Sequence, residues 1–263
     1  MYGAILGDIV GSRFEFHNYK EKDFELFTYD CEFTDDTVMT IALEKALMES
    51  SYKYWNLSKK ARDCLREFGR KYPNLSYGTN FKGWLLEDDR KSTNSYGNGA
   101  AMRISSIGWI ATDIKQVKRM SRIVTNVSHS HLEAIKGAEA IASCIYLAKT
   151  RHSKDEIRSY IENNYYPMNF TIHKIRKTYS YNVSCQGSVP QAIECFLEST
   201  DFEDALRNAI SIGGDSDTIG AMTGAIAEAY YGIPLWMVDK AKKYLPDELI
   251  QVEEEFYAYL KLK

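Results

Sequence analysis

Paired cysteines are missing from this sequence. Its five cysteines, Cys31, Cys64, Cys144, Cys185 and Cys195, are odd in number, show no CxxC spacing and sit mostly inside apolar stretches. That pattern suits reduced thiols in a cytosol better than a disulfide framework and argues against zinc. A basic excess is missing too. The 33 Lys and Arg against 36 Asp and Glu leave a net charge of -3, so no nucleic-acid backbone is expected to be held by bulk electrostatics. The start, MYGAILGD, has no basic leader before its apolar residues and meets Asp8 early, unlike a signal peptide. The longest uncharged apolar runs, 218–227 and 229–238, are split by Glu228 and reach about half of the ~20 residues that a membrane helix needs. A cytoplasmic protein without membrane contact is the expectation, and nothing in the sequence demands more than a monomer.

Val-Ile-Tyr alternation is also scarce, and only 165–183 offers room for extended pieces. Helical periodicity dominates instead. Residues 34–49 place Val38, Ile41, Ala42 and Leu47 on one buried stripe behind a cap of Thr34 and two aspartates. Similar patterns run over about 57–72, 99–125, 129–150, 153–164, 189–199, 201–211, 217–231, 234–244 and 246–262. No linker rich in Pro, Gly or Ser and no solenoid repeat divides the chain. The spacing predicts an all-α, compact single-domain helical bundle over 1–263. Polar, irregular stretches at 16–33, 73–98 and 165–188 are long for connections in a bundle, and loops of that length are often functional.

Chemistry is concentrated in a few places. The opening helix carries Gly3, Gly7 and Gly11 at intervals of four, and Glu15 continues the row. Such a strip lets another backbone approach closely and ends in a carboxylate. Gly220 and Gly224 give the helix after residue 217 a comparable face. TDDT at 34–37 and DSDT at 215–218 each set two carboxylates and a threonine at a predicted helix start. Either alone reads as a cap. Together they say more, because both helices are apolar enough to face one core, which can bring their starts to one end of the bundle. Four carboxylates gathered there without a cation repel by several kcal/mol. An all-oxygen ligand set without His or Cys selects hard ions, Mg²⁺ or Mn²⁺, and two ions can share it. SYGNGAAMRISSIGW at 95–109 flanks Asn98 with glycines and leads into a helix predicted near Ala100, where N–H groups favour phosphate. VSHSHLEAIKGAEA at 127–140 sets His129 and His131 at another helix mouth.

In this order, GAILGDIVGSRFE, FTDDTVMT, SYGNGAAMR, SHSHLEAIKGA, VPQAIECFL and GGDSDTIGAMTGAIAEAYYG resemble the ADP-ribosylglycohydrolase family, which includes the dinitrogenase reductase-activating glycohydrolases and the ADP-ribosyl-acceptor hydrolases. The resemblance covers nearly the whole chain. It implies an all-α fold with a two-metal cleft at one end. Thr34, Asp35 and Asp36 match the family's first ligand set, and Asp215, Asp217 and Thr218 its second. Glu15 matches the carboxylate that the family places over the scissile bond, and Asp35 is placed to touch both ions. Ser95, Tyr96, Gly97, Asn98 and Gly99 match its ADP-ribose loop, His129 its histidine near the ribose or phosphates, and Gly213 and Gly214 precede the second ligand set as in relatives. Ser216 stands where many relatives have threonine, and the chain is short for the family.

The resemblance implies Mg²⁺-assisted hydrolysis at C1 of the distal ribose of an ADP-ribosylated protein or small molecule, releasing ADP-ribose, with Glu15 and Asp35 as catalytic residues. A non-catalytic ADP-ribose binder and a two-metal nucleotide phosphohydrolase are the alternatives. The presence of all six ligand positions and Glu15 favours an enzyme. The acceptor, whether arginine, serine, acetyl ester or nucleobase, is not legible in these residues.

Overall fold

A computed structural model describes residues 1–262. The chain opens with α1 (Tyr2–Ser12), α2 (Asp35–Met48), α3 (Leu57–Lys71) and α4 (Thr79–Leu86). It continues through α5 (Ser105–Ile110), α6 (Ile114–Asn126), α7 (Leu132–Lys149), α8 (Lys154–Asn164) and the single turn α9 (Ile172–Ile175). The last five helices are α10 (Cys185–Leu197), α11 (Phe202–Ser211), α12 (Ser216–Tyr231), α13 (Leu235–Ala241) and α14 (Asp247–Leu260). Among the described residues there is no sheet, and the all-α expectation holds. No helix among them is long and apolar enough to cross a membrane.

The architecture is organised around the antiparallel pair α1 and α12. A Cβ on Gly7 would collide with the carbonyl of Gly220, and one on Gly220 with the carbonyl of Gly7, so both helices must be bare at this crossing. Gly3 meets Gly224 in the same way, and Gly11 meets the backbone of Ser216 and Asp217. The glycine strips are therefore backbone-to-backbone contacts in the core, with Ile5, Leu6, Ile9, Ile219, Met222 and Ile226 buried around them. A direct consequence is that the end of α1 lies beside the start of α12.

Several expected boundaries move. Helix α1 ends at Ser12, and Glu15 sits in the following turn, where Phe14 N–H donates to Gly11 O at 2.8 Å; Glu15 does not extend the helical row. The helix expected over 99–125 is three pieces. A 3-10 turn at Asn98–Ala100 comes first, then α5, and Asp113 starts α6 by accepting from Gln116 N–H at 2.7 Å. Helix α10 begins four residues earlier than the pattern suggested. Ser184 caps it, and Pro190 lies inside it, where its missing N–H had marked a false start. The stretch 165–183 holds α9 and no regular strand, and 73–98 holds α4.

The long segment before α5 is tied on both sides. Thr93 N–H donates to Ser128 O and Ser130 N–H to Thr93 O, both at 2.9 Å, while Asn98 N–H donates to Val183 O at 2.8 Å and Cys185 N–H to Tyr96 O at 2.9 Å. These isolated bridges pin residues 93–98 between the starts of α7 and α10.

Candidate functional site

The starts of α2 and α12 converge. Thr218 Oγ1 donates to Asp36 Oδ2 at 3.1 Å across 182 positions of sequence. Ligand oxygens of Asp8, Asp36 and Asp217 lie within 4.8 Å of one another, and so do those of Glu15, Asp215 and Asp217. The two groups share Asp217. These five side chains, and Asp35 as a sixth, are buried to at least nine-tenths. A cleft of ≈ 290 Å³ opens onto them, walled by Glu15, Asp35, Asp36, Asp215, Asp217 and Thr218 on one side and by Ser95, Gly97, Asn98, Gly99 and His129 on the other.

Asp8 explains how the carboxylates are held. It sits inside α1, fully buried, and accepts from Thr34 N–H at 2.9 Å, Thr34 Oγ1 at 2.7 Å, Thr37 N–H at 3.1 Å and Thr37 Oγ1. The first turn of α2 is thus fastened to α1 from behind. Thr34 Oγ1 also accepts from Asp36 N–H at 3.2 Å, the N-cap bond. The carboxylates of Asp35 and Asp36 are left to face forward, and Asp36 Oδ1 is buried with no partner. Asp215 makes no side-chain cap bond to α12; it accepts instead from Asn98 Nδ2 at 2.6 Å, which ties the cleft loop to the acidic cluster.

The electrostatics follow from burial and mutual repulsion. Burial, reinforced by Asp215 and Asp35, pushes Glu15 up to about 7. Burial and then Asp8 push Asp35 up to about 7, and burial raises Asp8 itself to about 6. Asp36 and Asp217 lie well above the carboxylate range, from burial first and neighbouring carboxylates second, and Asp215 is raised by burial. Among the described residues, none of these six makes an ion pair with a lysine or arginine. An oxygen-only set with one orphaned carboxylate oxygen is what a hard divalent cation fits.

His129 faces the same cleft in a defined state. Arg103 Nη2 donates to Ser128 Oγ at 2.6 Å and reaches His129 Nδ1 at 3.4 Å, and Ser128 Oγ lies 2.9 Å from the same nitrogen. Arginine has only donors, so Ser128 spends its proton on Nδ1 and the ring proton belongs on Nε2. Burial, with the Arg103 charge behind it, holds His129 well below the usual histidine range. The ring is therefore a neutral Nε2–H donor, and Nε2 lies beside the open faces of Gly97 and Gly99.

Three sequence candidates sit off the cleft lining. Thr34 is behind the carboxylates, bound to Asp8. Tyr96 is about half exposed at the rim, its ring 5.3 Å from that of His131. Gly213 has φ 67, a conformation glycine adopts freely, and packs against Asn18 and Lys20. There Asn18 accepts from Gly214 N–H at 3.1 Å, and Lys20 Nζ donates to Tyr179 O at 2.6 Å and to Ile212 O. The segment carrying Glu15 is thereby fastened to the turn before α12. Sequence reasoning missed Asp8, Arg103 and Tyr181, whose hydroxyl donates to Glu15 Oε1 at 3.4 Å. A lone charge in an apolar run is a signal that finds the first two, since such charges are buried only with a purpose; Tyr181 gives none.

The sequence and the fold have counterparts in known proteins. A sequence model of the ADP-ribosylglycohydrolase family matches residues 1–262. The chain is 27% identical to "ADP-ribosylhydrolase ARH3" of Homo sapiens over 88% of its length and 84% of that protein's, and 27% identical to the Mus musculus protein of the same name, with 88% and 82% covered. An uncharacterised Archaeoglobus fulgidus protein is 29% identical over 75% of this chain and 71% of its own. The fold is shared with a solved "ADP-ribosylglycohydrolase-related protein complex" at a TM-score of 0.71, 20% identity, and coverage of 98% and 95%. The chain belongs to the ADP-ribosylglycohydrolase family and is a hydrolase of that family.

Proposed function

We propose that this cleft hydrolyses the bond at C1 of the distal ribose in ADP-ribosylated acceptors and releases ADP-ribose, residues 1–263 acting as one unit, monomeric and cytoplasmic. The observation that carries the reading is the Thr218–Asp36 contact, which joins both acidic motifs beside Glu15 and the 95–99 loop. Asp35, Asp36, Asp215, Asp217 and Thr218 are the residues to hold two Mg²⁺, or Mn²⁺, and Thr34, the sixth residue expected from the sequence, instead joins Asp8 in orienting the first set. When bound, such ions supply Lewis-acid charge to sugar and water oxygens.

The chain's own residues do the rest. Loop 95–99 offers space at Gly97 and Gly99 for the diphosphate and ribose, and His129 Nε2–H donates to an oxygen there. The transition state has oxocarbenium character. A water adds its oxygen to C1 as the bond to the acceptor breaks; one water proton passes to Glu15 and is returned to the leaving group. A carboxyl held at about 7 can both take and give that proton near neutral pH. Tyr181, with its hydroxyl at Glu15 Oε1, orients it.

The test is a panel of ADP-ribosylated arginine, serine, acetyl-ester and nucleobase acceptors, with and without EDTA, read by mass spectrometry. At least one acceptor should yield free ADP-ribose in an EDTA-sensitive way. Glu15→Gln should leave ADP-ribose binding intact and lower turnover by about two orders of magnitude or more. Full turnover in that variant removes Glu15 from the mechanism, and release of AMP or phosphate instead of ADP-ribose overturns the reaction.

A further inference from the structure

A cavity larger than the acidic cleft lies elsewhere in the molecule. A space of ≈ 1350 Å³ lies between the segment Tyr52–Trp55, the end of α5, the outer face of α6 and the ends of α7 and α14. It shares no lining residue with the cleft. Helix α7 separates them: His129 and His131 precede its start, Tyr146 and Lys149 lie at its end, and its 18 residues span about 27 Å at ~1.5 Å per residue.

The lining has two characters. Tyr52, Tyr54, Trp55, Trp109, Tyr146 and Tyr257 supply six aromatic rings. Tyr52 and Trp55 are more than four-fifths exposed, although water is poor company for rings of that size. The charged residues of the lining are Lys53, Arg119, Lys149 and Lys261, with no aspartate or glutamate among them. In a chain of net charge -3, a wall carrying cations alone is a departure from the average surface. Lys149 is occupied, donating to Trp109 O and Ala111 O. Lys53, Arg119 and Lys261 make no ion pair with any described carboxylate; Lys53 lies over the Tyr52 ring at 5.1 Å. The turn carrying these groups is itself unusual, since Lys53 and Tyr54 have φ 57 and φ 59 in succession.

We propose that this cavity is a second binding site, remote from the acidic cleft, for a small organic anion bearing a flat aromatic ring, the nucleoside monophosphate class being its simplest member. The rings provide stacking faces, which bind any base because every base has a π-face. Arg119, Lys53 and Lys261 provide the charge for a phosphate. The volume exceeds that of a usual small-ligand pocket, about 300–1,000 Å³, so a nucleotide fits with room to spare. The cleft's chemistry plays no part in this site, so it stands whether or not the proposed hydrolysis does.

AMP is the probe, titrated by calorimetry into the whole protein, into two variants and into their combination. Lys53→Glu combined with Arg119→Glu reverses two exposed charges outside the acidic cleft; Tyr96→Ala combined with His129→Ala impairs the cleft alone. The double charge reversal should weaken AMP binding at least tenfold and leave hydrolytic kcat/KM unchanged, while the cleft variant should keep a binding event of wild-type affinity. AMP binding that keeps its affinity when the charge reversal is added to the cleft variant, that disappears in the cleft variant or that is undetectable in the wild-type protein overturns the proposal. Inorganic phosphate and adenosine are the halves of the probe. Either one binding as tightly as AMP overturns the combined recognition of ring and charge.

Discussion

The two ends of the α1–α12 pair bury carboxylates in the same way and satisfy them differently. At the far end, Glu44 and Glu253 both lie against the Met1 amino group, and Glu228 accepts from Gly3 N–H at 2.8 Å and from the Tyr257 hydroxyl. Every acid there faces a cation or a donor. At the near end, Asp8, Glu15, Asp35, Asp36, Asp215 and Asp217 crowd together, with hydroxyl, amide and backbone donors but no ion-paired cation. Burying charge is costly unless it is paired. The far end thus sets a cation against its acids, although Glu44 Oε2 and both Glu253 carboxylate oxygens make no hydrogen bond there, while the near end gathers six acids with no described cation paired to any of them. A shared helix crossing, two opposite electrostatic outcomes: the difference marks the functional end.

The largest effect should come from destroying the crossing on which both ends depend. Gly7→Ala sets a methyl group against the Gly220 backbone, which cannot rotate away as a side chain can. Overpacking costs about 1–3 kcal/mol, and a contact with unyielding backbone belongs at the upper end. Denaturant unfolding should show that loss, and activity should fall with it because α1 carries Asp8 and leads to Glu15. A Gly7→Ala protein of wild-type stability shows that the two helices separate without penalty, and the shared crossing ceases to be the basis of the comparison.

A smaller effect separates the ends by pH and metal. A carboxyl whose pKa is higher in the folded chain than in the unfolded one keeps a proton that the unfolded chain has released, so its burial weakens the fold as pH rises through that interval. Glu15 and Asp35 at the near end, and Glu44 at the far end, are all pushed up to about 7 by burial first. The metal-free protein should therefore lose melting temperature between about pH 4 and about pH 7, starting from ordinary carboxyl values. Mg²⁺ at a hundred times its dissociation constant should restore about 2.7 kcal/mol at pH 7 and much less at pH 4.5, where protons compete for the same oxygens. A melting curve indifferent to Mg²⁺ at pH 7 makes the near end no different from the far one.

Much of this was legible in the sequence, and what was not has physical reasons. The TDDT and DSDT motifs and their helices fall within a residue or two of expectation, because a threonine or aspartate before an apolar stripe is a local signal, even where, as at Asp215, the side chain makes no cap bond. The break at residues 111–113 was hidden because Ile110, Ala111 and Ile114 carry helical spacing straight across it; the cap that interrupts them depends on Gln116 as well as Asp113. Helix α4 was lost in a polar stretch whose buried face, Phe81, Trp84 and Leu85, is too short to show a period. Asp8 was visible as a charge in an apolar run, but its four hydrogen bonds reach 26 and 29 positions along the chain. The aromatic cavity is assembled from segments spread between Tyr52 and Lys261, and no local pattern announces it.

The finest discrimination between the two ends is the sign of a single carboxylate's removal. Asp217 is buried among Asp36, Asp215, Glu15 and Asp8, all of which raise its pKa. Asp217→Asn keeps the shape and the acceptor for Thr218 N–H, and deletes a group whose ionisation burial and its acidic neighbours disfavour in the metal-free fold. The metal-free variant should melt higher than wild type while losing its response to Mg²⁺ and its hydrolytic activity. Glu228→Ala at the far end should do the reverse. It strands the Gly3 N–H and the Tyr257 hydroxyl, lowers stability by at least about 1 kcal/mol, and leaves the Mg²⁺ response unchanged. Thermal melts in EDTA and in Mg²⁺ read all four quantities. If both substitutions lower the metal-free melting temperature alike, the near-end carboxylates are already satisfied within the protein and the cleft has no vacancy for a cation to fill.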